Sequence, residues 1–293
     1  MKSNHHQITV FTYACREGSF SRAAQRLGVT QSSITQHVAK LEKAMGTQLF
    51  VRRRDGLELT SAGRDLFALT DRLTALEQQV QEKVQDFGAL EDGHLRIIAN
   101  APRPILPIIA AYNRFYPNVR IDFTLFDWTS AMTMLREFGV DIALITEPTV
   151  TDQLFSMPVG ETRYKAHIPA AHALAGRDRI SLKDLVDETV VLPEQGSLTL
   201  REFHNAQRKS GVTLSRVIRT TTFPVIQEAV LHGAGVGILL ADSLYPSREI
   251  VHVPIVEMPK VYQNYLVTPA HKRHLRLISS FIEVADKFAS VTV

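Results

Sequence analysis

The stretch GSFSRAAQRLGVTQSSITQHVAKLEKAMGTQLFVRRRDGLELTSAG, residues 18–63, carries the decisive pattern. Gly18 closes a helical run in which Ile8, Phe11, Ala14 and Cys15 recur at helical spacing. Ser19 or Ser21 then caps a second helix, SRAAQRLG, with Ala23, Ala24 and Leu27 facing inward. Gly28 makes the tight turn, having no Cβ to clash at positive φ. Thr30 caps a third helix, QSSITQHVAKLEKAMG, whose Ile34, Val38, Leu41 and Met45 form one apolar stripe. Helix, glycine turn and longer capped helix make a helix-turn-helix, in which the last helix enters the major groove. Its other face holds Gln31, Ser32, Ser33, Thr35, Gln36 and Lys40, able to donate to base edges and phosphates without burying charge. With Ser21 and Thr30 these are the candidate DNA contacts, although any solvated amphipathic helix also presents a polar face.

The following segment adds weight to that reading. LFVRRRDGLELTSAG reads as strand, Asp55-Gly56 turn and strand, with Phe50, Val51, Leu57 and Leu59 alternating against polar neighbours. A hairpin in this place is a wing. Arg52, Arg53 and Arg54 at its tip would reach phosphates or a minor groove. The whole stretch resembles the signature of LysR-type transcription regulators. The corresponding elements are Gly18–Leu27, Thr30–Ser32, Leu41–Gly46, Leu49–Arg52 and Leu59–Gly63. Two positions depart from it: Ser32 stands where proline is usual, and Gln36 where arginine is common. The second leaves one position of base preference open.

Charge is divided along the chain. Residues 1–60 hold nine basic and four acidic residues, a net +5, so the remainder carries −2 of the total +3. A basic head on a near-neutral body suits a polyanionic partner for the head alone. With 293 residues, two or three domains are expected. No apolar run is long enough to span a bilayer, and the first residues lack the apolar core of a secretory signal, so a cytoplasmic protein is expected. Cys15 is the only cysteine, which excludes an internal disulfide and any multi-cysteine metal site; it reads as a small buried apolar residue.

From Ser61 the pattern is one long helix of about 27 residues. Leu66, Leu69, Leu73, Leu76, Val80, Val84 and Phe87 lie near heptad spacing, before Gly88 and Asp92-Gly93 end it. So narrow an apolar seam needs a partner, either its own copy or its own chain; a dimer would offer two recognition helices to two half-sites. Residues 90–293 alternate strand and helix, with the pattern restarting after Glu161. The expected architecture is α+β overall. A winged helix-turn-helix (1–60) leads through a linker and dimerisation helix (61–89) to a two-lobed α/β effector domain (90–293). Lobe I takes about 90–161 and 267–293, and lobe II about 162–266. The resemblance implies the same effector domain, similar to periplasmic solute-binding proteins, and homodimers or homotetramers with RNA polymerase as an open further partner.

Two such lobes bind ligands in the cleft at the carboxyl ends of their strands. The candidate effector residues are Asn100, Ala101, Pro102 and Arg103 after the first strand, Thr129 at a helix start, and Thr146 and Glu147 after the third strand. Across the hinge they are Gln195, Gly196, Ser197 and Thr199, at a helix N-terminus that attracts anions, and Phe223 at the next helix start. The resemblance implies that the loop after the first strand and the Gly-Ser-x-Thr turn hold effector carboxylates, although Ser197 also serves as a plain cap. Arg103 is the one cation near that pocket, so an anionic effector is expected. NAP after the first strand, PEQGSLTLR, QEAVLHGAGVGI and NYLV faintly resemble regulators associated with aminoethylphosphonate breakdown, which implies a phosphonate or amino acid-like effector.

An enzyme finds no support: there is no Gly-x-Ser-x-Gly elbow, HExxH pair or phosphate loop. HGAGVGIL follows a helix and precedes a strand, the reverse of a dinucleotide fingerprint. His167 with His172, and His271 with His274, lack a third ligand and read as surface histidines, so no metal, cofactor or catalytic residue is expected. A solute-binding protein would share the cleft but not the basic head.

Overall fold

The computed structural model describes residues 5–53, 56–84, 93–137, 140–149, 151–243 and 245–292. The head comprises α1 (His5–Glu17), α2 (Phe20–Leu27), α3 (Gln31–Met45), β1 (Phe50–Arg53) and β2 (Gly56–Leu59). Ser19 caps α2 by accepting from the Arg22 amide, and Gly28 follows at φ 66°. That frees Ser21, whose hydroxyl donates to Gln31 Oε1 at 2.8 Å. Thr30 caps α3 by accepting from the Ser33 amide at 3.2 Å. Ala23 and Ala24 let α2 cross close over α1 and α3, around a core of Phe11, Ile34, Val38, Leu41 and Leu49. Met45 does not join that core and is exposed, because it sits in the last turn before Gly46. The hairpin pairs Phe50 with Leu59 and Arg53 with Gly56. Gly56 is thus a strand residue and not part of the turn; Arg54 and Asp55 between the strands lie outside the described residues.

Helix α4 (Ser61–Val84) leaves the wing at a close crossing. A Cβ on Gly63 would collide with the Leu49 carbonyl, so only glycine lets the helix start there. Its Phe67, Thr70, Asp71 and Ala75 are buried against its own chain. Leu66 is half-buried in the head core, whereas Leu69, Leu73, Leu76, Val80 and Val84 stay exposed. The linker thus has one face packed in cis and one apolar face open. Phe87 and Gly88 lie outside the described residues.

Lobe I is built from β3 (Gly93–Ala99), α5 (Leu106–Phe115), β4 (Val119–Leu125), α6 (Trp128–Glu137) and β5 (Ile142–Thr146), with β3 parallel to both β4 and β5. Helix α5 starts only at Leu106, because residues 101–105 fold into turns that carry the chain off the strand end. Strand β6 (Leu154–Pro169) is longer than the segment expected after Glu161, because its first half pairs with β11 (Val261–Pro269) in lobe I. In lobe II, β7 (Val190–Pro193) runs parallel to β8 (Val217–Thr220) and β9 (Val236–Leu240), joined by α7 (Leu198–Ser210) and α8 (Phe223–Leu231). Between β6 and β7 the chain makes a single 3-10 turn, Leu182–Leu185. An unanticipated β10 (Ile250–Pro254) pairs with β6. Lys272 belongs to a 3-10 turn (Ala270–Lys272), and the last helix, α9, spans Arg276–Thr292.

All these strands form one sheet in the order β4-β3-β5-β11-β6-β9-β7-β8. Antiparallel β6 and β11 are the two crossovers, so the expected lobe boundaries at 161/162 and 266/267 fall inside strands. Their register shifts between Asn264 and Tyr265, a bulge where the ladder passes from one lobe to the other.

His167 corrects the surface reading of the histidines. Alternation along β6 points it beneath α8, fully buried, with neither ring nitrogen hydrogen-bonded and the His252 ring 4.4 Å away. Burial, helped by His252, lowers its pKa from 6.5 to about 3. The unfolded chain therefore takes the proton first, and stability falls as pH drops from 6.5 towards 3. His167→Leu is expected to flatten that slope between pH 6.5 and pH 5 in urea unfolding. Parallel curves for the variant and the wild type would assign the acid sensitivity to other groups.

Candidate functional site

On the head, Gln31, Ser32, Gln36 and Lys40 are exposed, and Ser33 and Thr35 partly so, all along one side of α3. Several are pre-organised by neighbours. Ser21 holds the Gln31 amide, Thr30 and Ser32 hydroxyls lie 3.0 Å apart, and Thr35 donates to the Gln31 carbonyl. Gln36 and Lys40 have no side-chain hydrogen bond or salt bridge among the described residues, which leaves their donors available. Arg52 and Arg53 lie on β1 by backbone position, directly after this helix. Their side chains, like Arg54, lie outside what is described.

The second site lies between the lobes, a cavity of about 260 Å³. Lobe I contributes Asn100 and residues 125–128; lobe II contributes Pro193, Glu194, Ser197–Thr199, Thr221–Pro224, Leu240 and Ser243. Of the residues expected from sequence, Asn100, Ser197, Thr199 and Phe223 form its wall. Ser197 also caps α7, accepting from the Leu200 amide at 3.1 Å.

The other expected residues surround the cavity without forming its wall. Ala101 and Pro102 are buried behind it. Thr129 bridges the lobes, its amide and hydroxyl donating to the Gly196 carbonyl at 3.2 and 3.0 Å. Gly196, at φ 90°, allows that approach, since a Cβ there would collide with the Asp127 carboxylate. Gln195 is exposed beside it. Arg103 Nη1 donates to the Ala241 carbonyl at 3.5 Å, a second bridge between lobes. Glu147, at φ 49°, accepts from the Gln263 amide and from Lys260.

Beneath the cavity a chain of hydrogen bonds crosses the hinge. Asn100 Oδ1 accepts from the Thr146 amide, and the Thr146 hydroxyl donates to Asn264 Oδ1 at 2.7 Å. Asn264 Nδ2 donates to Asp242 at 2.9 Å, and Thr162 donates to the same carboxylate at 2.7 Å. Thr146 therefore works under the floor, not in the wall. Sequence reasoning missed Leu125, Phe126, Asp127, Trp128, Glu194, Thr222 and Ser243. Asp127 and Thr222 immediately precede helices at strand ends, a signal that was open to reading. Ser243, in a turn, carried none.

A helix-turn-helix reader with a wing, joined by one stiff helix to a hinged α/β cleft, defines a DNA-binding regulator that senses a small molecule. The chain belongs to the LysR family of transcriptional regulators. Residues 5–64 match the lysR-family bacterial regulatory helix-turn-helix protein, and residues 88–289 match the LysR substrate binding domain. It is 29% identical over 289 residues to the uncharacterized HTH-type transcriptional regulator MJ0300 of Methanocaldococcus jannaschii, covering 94% of this chain and 96% of that one. It is 26% identical over 272 residues to the RuBisCO operon transcriptional regulator of Allochromatium vinosum, covering 91% and 90%. In fold it is similar to a full-length OxyR variant from Pseudomonas aeruginosa, with a TM-score of 0.77 at 20% identity over 97% of this chain and 95% of that one. The protein is thus a DNA-binding transcriptional regulator with a small-molecule effector domain, and not an enzyme. No helix among the described residues is long and apolar enough to cross a membrane.

Proposed function

We propose that a dimer, joined along α4 and able to pair into a tetramer, holds double-stranded promoter DNA in the cytoplasm. Its contacts are Ser21, Thr30, Gln31, Ser32, Ser33, Thr35, Gln36 and Lys40 in the major groove and Arg52, Arg53 and Arg54 on the backbone. The carrying observation is the open polar face of α3, pre-organised by Ser21 and Thr30 and followed at once by the wing. The effector presents an acid group to the helix N-termini of the cleft. It is held by Asn100, Ser197, Thr199 and Phe223, while Ala101, Pro102, Arg103, Thr129, Thr146, Glu147, Gln195 and Gly196 shape the surrounding shell. Effector binding shifts the lobes about the β6–β11 hinge, changes the angle between the two heads and so alters DNA bending and access of RNA polymerase.

Fluorescence anisotropy on DNA from upstream of the protein's own gene, with competitor DNA and a salt series, tests the head. Binding should be competitor-resistant and steeply salt-dependent. Arg53→Ala should weaken binding to all sequences alike and lower the salt slope by about one, as for a lost phosphate contact. A changed base preference without weaker overall binding would instead assign Arg53 to base readout.

A further inference from the structure

The charge pattern of the cleft narrows its ligand, a conclusion that rests on reading the cleft as the effector site. Three helices begin at the cavity: α6 behind Asp127, α7 behind Ser197 and α8 behind Thr222. Their N-terminal amides favour an acid group. Thr222 makes no capping bond, so the Phe223 and Val225 amides of α8 lack that side-chain partner, Pro224 between them having no N–H. Polar side chains in the wall also have bonds left to make. Ser243 is 2% exposed, and its hydroxyl has no partner among the described residues. Asn100, 7% exposed, uses its Nδ2 only in a long 3.5 Å contact with Thr146. Both side chains thus keep hydrogen-bonding capacity that a ligand in the cavity can use.

The formal charges in the wall are negative. No lysine, arginine or histidine contributes to it among the described residues; Asp127 and Glu194 do. Asp127 is already satisfied by the amides of Thr129 and Ser130 and by the Ser130 hydroxyl. Glu194 has no hydrogen-bond or ion-pair partner for its carboxylate among the described residues. A dianion here would face that charge with no side-chain cation among the described wall residues to offset it. The remaining wall is apolar and aromatic: Leu125, Phe126, Trp128, Leu198, Phe223 and Leu240.

We infer that the effector is a zwitterion, an α-amino acid with an apolar or aromatic side chain. Its carboxylate meets the N-termini of α7 and α8, its ammonium meets Glu194, and its side chain lies against the aromatic wall. A solely anionic ligand satisfies the helix ends but leaves Glu194 opposed.

Calorimetric titration of the full chain with the apolar and aromatic L-α-amino acids, alanine to tryptophan, tests this. Each is matched with its N-acetyl derivative, and succinate serves as the dianion. At least one amino acid should bind, and acetylating its nitrogen should weaken binding about ten-fold or more, as should Glu194→Gln. Glu194 is exposed, so that variant keeps its fold. Equal or tighter binding of the acetylated acid or of succinate overturns the zwitterion, as does failure of every amino acid to bind. Thr222→Trp, at an exposed position that caps nothing, fills the cavity mouth. Amino acid binding that survives this variant overturns the cleft reading itself, a failure distinct from the first.

Discussion

Leu76→Glu is expected to yield a monomer whose DNA affinity is about a hundred-fold or more below wild type, the loss that follows when two linked sites become one. The seam on α4 is strongly exposed: Leu69 65%, Leu76 58%, Val80 56% and Val84 81%. Its other face, with Phe67, Asp71 and Ala75, is already occupied by the protein's own chain. A run of leucines and valines at near-heptad spacing, exposed among the described residues, is suited to a second copy of the same helix. A glutamate at its centre would have to be buried unpaired in that contact. Sedimentation and anisotropy on one preparation decide the matter. A variant that remains dimeric would place the interface elsewhere; a monomer with unchanged affinity would end the bivalent account of DNA binding.

Asp71→Asn is expected to destabilise the protein by about 3–5 kcal/mol, the usual cost of leaving buried partners of a charge uncompensated. Asp71 on α4, 4% exposed, joins three parts of the molecule. Arg16 of α1 binds it at 2.6 Å, and from lobe I His271 approaches at 2.9 Å and the buried Lys272 at 3.6 Å. A second tie runs from Arg96 of β3 to Glu17 and to the Arg16 carbonyl. Head, linker and sensing lobe are thus tied together in cis. Urea unfolding should show the loss. The triple change Asp71→Leu, Arg16→Met and Lys272→Met should recover much of it, since apolar packing often replaces a buried ion network well. If Asp71→Asn is neutral, the network is not what holds the head to the lobe.

The same residue contributes an acid limb to stability. Burial alone raises its pKa, but Lys272, His271 and Arg16 more than reverse that and hold the carboxyl far below the ordinary range. The unfolded chain takes up the proton near about pH 3.9 while the folded protein still resists it. Its stabilisation is therefore complete at neutral pH and is lost as pH falls below about 4. That window overlaps the one assigned to His167 only at its acid end, so between pH 6.5 and 5 His167→Leu should flatten the stability curve and Asp71→Asn should not.

Local chemistry determined the head in advance. Capping residues at Thr30 and Ser19, glycines that take positive φ at Gly28 and Gly46, and a 3.6-residue apolar rhythm specify helix ends and faces without help from distant chain. The alternation of β3, β5, β7 and β9 with helices was equally legible, because strands buried on both faces read as continuous apolar runs. Ser19 against Ser21 as the cap was left open, since either hydroxyl can reach the helix and only the packed α2–α3 corner gives Ser21 to Gln31. The length of β6, the existence of β10 and the bulge at Asn264 depended on which strands lie alongside, information that no local window contains. The cavity wall came out differently from the expected set for a related reason. Residues at strand ends were readable one segment at a time, but Thr146 turned down to Asn264, Thr129 was taken by Gly196, and Glu194 and Ser243 were brought in from the far lobe. Sequence alone determined the helices of the head and most of the strand and helix alternation behind it, and that these make a DNA reader and a two-lobed sensor. Tertiary structure decided which side chains share the cleft, because a hydrogen bond or close contact is a property of two segments at once.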